Sequence, residues 1–438
     1  MKLQFIALLF VFFCVCLMLT ACTVSQGQVI PAETAVTFMV HGDPHEQEAF
    51  AAVVEGFHAT APHVEGSPVR VDLIGLPSAE DFLTRLTTDF AAGAPPDIFL
   101  LNYRRLAQFY NRGAVEPLGP WIADSEKIAE DDFFAVAMDA FRNSQGTVVC
   151  IPQNISSQVV YYNRDLFDAA GHPYPQADWT WEDFRRTAIA LTLPDTDNDG
   201  EPDQYGLGLE PHLVRVAPFI WQNGGDLVDD PAAPTRFTLD TPIAADAIQF
   251  VLDLAQVDGV VPNRTAEAVK SHAQRFYAGN IAMYVDSRRI VPTMRAVAEF
   301  NWDVAPLPRG KVTASILHSD GYCMAAASQQ KAAAWAFIEF ALSPAGQEPA
   351  ARLGRTVPSL IAVANSEVYL DPTQAPASAQ VWLDAVPYLR VLPRLENWVR
   401  IERTAAIEFE QAYLGLTTLS DVVDHIQSES ANGFSPLK

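Results

Sequence analysis

Two periods of apolar residues succeed one another along the chain, and the switches between them mark its elements. "AVTFMVHG" (35–42) and "SPVRVDLIGL" (67–76) are short apolar, β-branched runs of the kind that form strands. "EQEAFAAVVEGFHAT" (46–60) and "AEDFLTRLTTDFAAG" (79–93) repeat apolar residues at helical spacing, the second closed by Gly93. "APPDIFLLN" (94–102) is a third strand behind two prolines. This alternation predicts a parallel sheet with crossover helices, and such sheets hold ligands at the carboxyl ends of their strands. The loops His41-Gly42-Asp43 and Asn102-Tyr103-Arg104 are therefore the first candidates for a site.

The pattern restarts near residue 145. "GTVVCIP" and "SSQVVYYNRDLFDAAG" predict strand, loop, strand and a helix ended by Gly171. "TWEDFRRTAIALTL" is a helix with Thr180 as N-cap and Asp183 three residues later, a capping box. "TPIAADAIQFVLDLAQVDG" is strongly helical, and "AVKSHAQRFYAGNIAMYVD" predicts helix, glycine turn and strand. "NWDVAPLP" and "SDGYCMAAAS" are strands, and "QKAAAWAFIEFALSPAGQEPAARLG" holds two helices broken at Pro344.

The start of the chain changes the picture of where it works. Lys2, an apolar run to Leu19 and the small pair Thr20-Ala21 form a secretory leader, with an uncleaved membrane anchor as the rival reading. Leu19-Thr20-Ala21-Cys22 resembles the bacterial lipobox, which makes Cys22 the acylated first residue of the mature protein and residues 22–35 a tether. The 438 residues suffice for about two or three domains. A net charge of −24 excludes phosphate-backbone binding and favours a neutral or cationic ligand over an anionic one. Cys150 and Cys323 each sit in an apolar run and read as two separate buried thiols, with pairing the alternative in an oxidising compartment.

The order of motifs resembles the extracellular solute-binding proteins of ABC importers, in the branch that carries sugars, of maltose/oligosaccharide type. The matching pieces are "AAGAPPDIFLLN", "FYNRGAVEPLGPWI", "IPQNISSQVVYYNRDLFDAAG", "WTWEDF", "DTDNDGEPDQYGLGL", "FYAGNIAMYVDSRR", "NWDVAPLPRG" and "AAAWAFIEFALSPAGQ". The resemblance implies an α/β, two-lobed periplasmic-binding-protein-like (type II) fold with a hinge and an interlobe cleft. It places one lobe at 36–150 plus 312–355 and the other at 151–311 plus 356–438. It implies a lipid-anchored, extracytoplasmic, monomeric binding component that captures a carbohydrate, an oligosaccharide above all, and delivers it to permease subunits. No bond is made, no cofactor is required and no nucleic acid is bound. A binding protein for a glycerol phosphodiester or a polyamine is the alternative, with a lipid-anchored glycoside hydrolase behind it.

A sugar needs amides, carboxylates and arginines for its hydroxyls and aromatic faces for its C–H patches. At the expected strand ends and hinge crossings the sequence offers His41, Asp43, Asn102, Tyr103, Arg104, Gln153 and Asn154. Trp221 is the candidate stacking platform, with Asn223 before two glycines. Asp286 and Arg288 end a strand, His318, Asp320 and Tyr322 lie near the third crossing, and Arg355 follows Gly354.

"DTDNDGEPD" has calcium-loop spacing: Asp195, Asp197 and Asp199 at positions 1, 3 and 5, Glu201 at 7 for its backbone carbonyl, and Asp203 at 9. Position 12, where a bidentate Glu belongs, is Gly206. The expectation is a structural calcium ion stiffening the second lobe, away from the cleft, against a solvated acidic turn.

Overall fold

Strand β1 (Thr34–His41) is buried on both faces from Phe38 to Val40, so it reads as a run and not as an alternation. The structure, a computed structural model, describes residues 33–434 except Asp197, Asp199 and Pro211, with the backbone alone for Arg264, Thr265 and Asn432. Cys22 and most of the expected tether lie outside the described residues.

Seven of the described strands form one sheet: β1, β2 (His63–Val64), β3 (Ser67–Leu76), β4 (Ile98–Asn102), β5 (Val115–Glu116), β6 (Ile151–Pro152) and β12 (Asp320–Ala325). β3 and β4 flank β1 in parallel, as the alternation predicts. The crossover helices Pro44–Ala59 and Ala79–Ala91 start on side-chain caps: Asp43, in a reciprocal box with Glu46, and Ser78. What the local pattern does not announce is β12, which returns from far along the chain to pair antiparallel with β4, Asp320 opposite Asn102.

The second sheet has the order β10–β7–β9–β8, from β7 (Val159–Asn163), β8 (Tyr205–Gly208), β9 (Ile281–Asp286) and β10 (Trp302–Ala305). Helices Trp181–Ala190, Leu213–Gln222 and Pro242–Gln256 belong to this half, and the expected Thr180–Asp183 capping box is present. The helix Trp398–Tyr413 packs on Leu213–Gln222 and Pro242–Gln256, and also touches the turn Tyr103–Arg105 after β4.

Three stretches of chain run between the sheets and hydrogen-bond to one another. Residues 153–158 lead from β6 to β7, 317–319 lead back into β12, and 355–359 follow the helix Pro344–Arg352. Ser156 and His318 exchange backbone bonds of 2.9 and 2.7 Å, and Ile155 N donates to Val357 O at 2.9 Å. Ser319 Oγ donates to Asn154 O at 2.6 Å, and Ser359 Oγ to Pro152 O at 2.6 Å.

The expectation of two separate thiols fails. Cys150 and Cys323 form a disulfide, with Cα atoms 4.7 Å apart. The reason is register: β6 pairs with β12, Ile151 opposite Tyr322, which brings the residue before Ile151 opposite the one after Tyr322. "GTVVCIP" is also less of a strand than its composition suggests, since only Ile151–Pro152 is one.

Candidate ligand-binding cleft

The carboxyl ends of β1, β4 and β9 and the start of β12 converge on a cavity of about 340 Å³. The first sheet contributes His41, Asn102 and Asp320, and the turn after β4 contributes Arg104 and Arg105. The second half contributes Arg215 from the helix after β8, and Asp286, Ser287 and Arg289 from the end of β9. The crossing stretches form the floor with Asn154, Ser156, His318 and Ser319, and Arg355 closes one side.

Electrostatics orders this cleft. Asp286, 1% exposed, receives Arg215 Nη2 at 2.9 Å, the Tyr284 hydroxyl at 3.0 Å and its neighbour Ser287 N at 2.7 Å, with Arg289 Nη2 at 3.6 Å. Burial pushes its carboxyl up, and the two guanidinium groups more than reverse this, holding it well below the usual carboxylate range. Arg104 donates to Glu402 on the helix Trp398–Tyr413 and, at 2.9 Å, to Asn102 Oδ1. Asn102 in turn donates to Asp320 Oδ1 at 3.0 Å. Arg355, 5% exposed, lies 3.2 Å from Glu46 and over the Phe50 ring. Burial, reinforced by Arg215 and Arg104, pushes the His318 imidazole down to about 3, so it is neutral at physiological pH.

Eight expected residues meet here: His41, Asn102, Arg104, Asn154, Asp286, His318, Asp320 and Arg355. The others have different places. Asp43 caps its helix and accepts from Thr293 Oγ1 across the halves. Tyr103 is sealed in the core, its hydroxyl between Leu317 O and Leu392 N. Gln153 is buried and serves the hinge, its backbone N–H donating to Asp320 O at 2.8 Å. Asn223 donates to Ile243 O at 2.7 Å at the end of its helix. Tyr322 packs between Phe38 and Phe337.

Trp221 does not line the cleft. It is 2% exposed, its indole N–H points to Asp226 at 3.3 Å, and the Arg390 guanidinium covers its ring at 4.9 Å. Arg288 is likewise internal, stacked on Tyr369 and Trp382 and donating to Gly354 O at 3.0 Å. The short helical turn Arg288–Ile290 sends Arg288 inward and leaves Arg289 for the cleft. Arg105, Arg215 and Arg289, with Ser156, Ser287 and Ser319, are the polar lining residues that were not among the expected ones. The strand-end rule would have reached Arg215 had it been applied to "YGLG" as it was to β1 and β4.

The acidic turn lies elsewhere. Asp195 accepts from the backbone of Asn198 at 2.7 Å and Gly200 at 2.9 Å, and Asp203 accepts from Thr196 N at 3.2 Å. Glu201 is ion-paired with Arg275 at 3.0 Å. Asp197 and Asp199 lie outside the described residues. Among the described residues no three acidic, His or Cys side chains gather as a metal site.

Residues 42–348 match the family of bacterial extracellular solute-binding proteins, well over half of the chain. The chain belongs to that family. Among its relatives, this solute-binding protein is 26% identical over 326 residues to the mannitol-binding protein of Pseudomonas aeruginosa, covering 73% of this chain and 70% of that one. It is 25% identical over 335 residues to an erythritol/L-threitol-binding protein of Mycolicibacterium smegmatis, covering 68% and 65%. Its fold superposes with a TM-score of 0.81 on an ABC substrate-binding protein from Listeria monocytogenes in complex with cycloalternan, at 24% identity over 91% of this chain and 98% of that one. The two-lobed α/β architecture is thus that of the family. Among the described residues no helix is long and apolar enough to cross a membrane.

Proposed function

We propose that this protein captures a sugar or sugar alcohol between its two halves and presents it to the permease subunits of an ABC importer, as a monomer tethered outside the membrane through acylated Cys22. The observation that carries the reading is the cleft itself, walled by polar side chains of both sheets and floored by the three hydrogen-bonded crossings. Ligand that touches both walls stabilises the closed arrangement, and closure is the signal a permease can sense. A cavity of about 340 Å³ is at the lower end of small-molecule sites and suits about one or two sugar rings better than a long oligosaccharide. The mannitol and erythritol relatives support a small polyol, and the lipobox sequence supports the tether.

Two rival readings, a hydrolase and a polyamine-binding protein, fare worse on chemistry. A hydrolase needs a carboxyl that stays protonated to serve as acid, and Asp286 is held ionised by two arginines. A polyamine would meet five arginines, a concentration of positive charge that the whole-chain −24 conceals because most acids lie elsewhere. Calorimetry against mono- to tetrasaccharides and sugar alcohols, with small-angle scattering of the best binder, tests the proposal. Micromolar binding with a more compact particle and recovery of unaltered ligand is expected. Absence of binding across the panel, or turnover of the ligand, refutes it.

A further inference from the structure

A neutral sugar offers as many donors as acceptors, so a cleft for one presents both in rough balance. This cleft does not. Its lining carries the guanidinium groups of Arg104, Arg105, Arg215, Arg289 and Arg355 against two carboxylates, Asp286 and Asp320. Both carboxylates already accept bonds from protein donors, Asp286 from Arg215, Tyr284 and Ser287, and Asp320 from Asn102. The unmet groups are on the donor side. Arg215 is 6% exposed, yet its Nε and Nη1 find no acceptor. Arg104 has Glu402, Arg355 has Glu46, Arg289 shares Asp286 with Arg215, and Arg215 has Glu210 as well at 3.6 Å. Arg105 alone among these five makes no ion pair or hydrogen bond with any described residue, although it lies beside Arg104 in a half-buried turn. Burial, aided by the charge of Arg104, lowers its basicity, and the more distant carboxylates of Glu402 and Asp320 offset this only in part. The lining also holds no Trp or Tyr among the described residues; Phe82 and two histidines are its rings.

Resting on the proposed sugar-binding role, we infer that the solute is an anionic sugar or polyol, whose carboxylate or phosphate is met by Arg105 while its hydroxyls are shared among Asp286, Asp320 and the remaining donors. Such a ligand supplies the surplus acceptors that Arg215 and Arg105 lack. A planar carboxylate matches the guanidinium fork, and a charge-assisted bond in a half-buried site is worth about tenfold or more in affinity.

Matched pairs test this by calorimetry with the purified protein: D-glucose against D-glucuronate, D-glucose against glucose 6-phosphate, and mannitol against gluconate. At least one acidic member should bind about tenfold or more tighter than its neutral partner, and the preference should shrink in high salt. A preference for glucuronate and gluconate identifies a carboxylate, and one for glucose 6-phosphate a phosphate. Arg105→Gln should erase the preference, and Arg105→Lys should retain part of it. Neutral sugars binding as tightly as their acidic partners would overturn the inference and leave the transport role standing. Failure of every sugar, acidic or neutral, would instead remove the role on which it rests. An Arg105→Gln protein that still prefers the acid would overturn the assignment to Arg105.

Discussion

Arg215 and Asp286 join the helix after β8 to the end of β9 through a 2.9 Å ion pair whose side chains are 7% and 1% exposed. The pair is committed to the protein before any ligand arrives, and it fixes the orientation of the second wall of the cleft. Removing one partner leaves the other buried with only a longer ion pair, Glu210 at 3.6 Å for Arg215 or Arg289 at 3.6 Å for Asp286. Asp286→Asn should therefore destabilise the fold by about 3–5 kcal/mol in urea unfolding, and pairing it with Arg215→Met should restore a large part of the loss. A single variant within about 1 kcal/mol of the parent would show the pair to be better hydrated than its burial indicates.

Two buried histidines give the fold a pH dependence of its own. His318 is held down to about 3 and His272 to about 4, both by burial first. An unfolded chain protonates both near 6.5, so below that pH it binds protons that the folded protein refuses. Stability is full above pH 6.5 and falls as the pH drops towards 4, by about 1 kcal/mol per pH unit for each ring. Thermal melting from pH 7.5 to 4.5 should show this decline, and His318→Gln should make it shallower. His318 itself should add no pH dependence to ligand affinity from pH 5 to 8, because it keeps one protonation state throughout, so His318→Gln should leave the shape of the affinity profile unchanged. A melting temperature that does not move over that range would contradict the burial of both imidazoles.

The bond between Cys150 and Cys323 spans 173 residues of sequence and lies in the core, where both residues are 0% exposed. Loss of so long a constraint should cost about 2–5 kcal/mol. Replacing both cysteines with serine should lower the urea midpoint accordingly. Reductant should leave the native protein unaltered for hours and act quickly only in denaturant, as thiol labelling followed by mass measurement would report. Rapid labelling of the native protein with no change of midpoint would speak against the bond.

Most elements were legible because local signals agree with the global fold. The Thr180–Asp183 box, the break at Pro344 and the strand of "SPVRVDLIGL" all appear where the pattern places them. Non-local facts were not legible. Nothing near "GYCMAA" says that it pairs with β4 and β6, and the disulfide follows from that pairing alone. For the cleft, the strand-end rule found His41, Asn102 and Arg104. It failed where burial depends on a neighbour that sequence cannot supply. Trp221 looked like a platform beside two glycines, but Arg390, far along the chain, caps it. The choice of Arg288 over Arg289 turned on how one short helical turn rotates successive side chains, inward for Arg288 and towards the cleft for Arg289.

The return of β12 to β4 also governs when this molecule can become itself. Asn102 and its partner Asp320 are 218 positions apart, so the first sheet cannot be completed until three quarters of the polypeptide has been synthesised. Contacts this distant are slow to find. A nascent chain therefore spends most of its synthesis without its amino-terminal half finished, which keeps it threadable through an export pore and open to chaperones. The disulfide keeps the same schedule, since Cys323 lies beyond Asp320 and cannot meet Cys150 until β12 has been made.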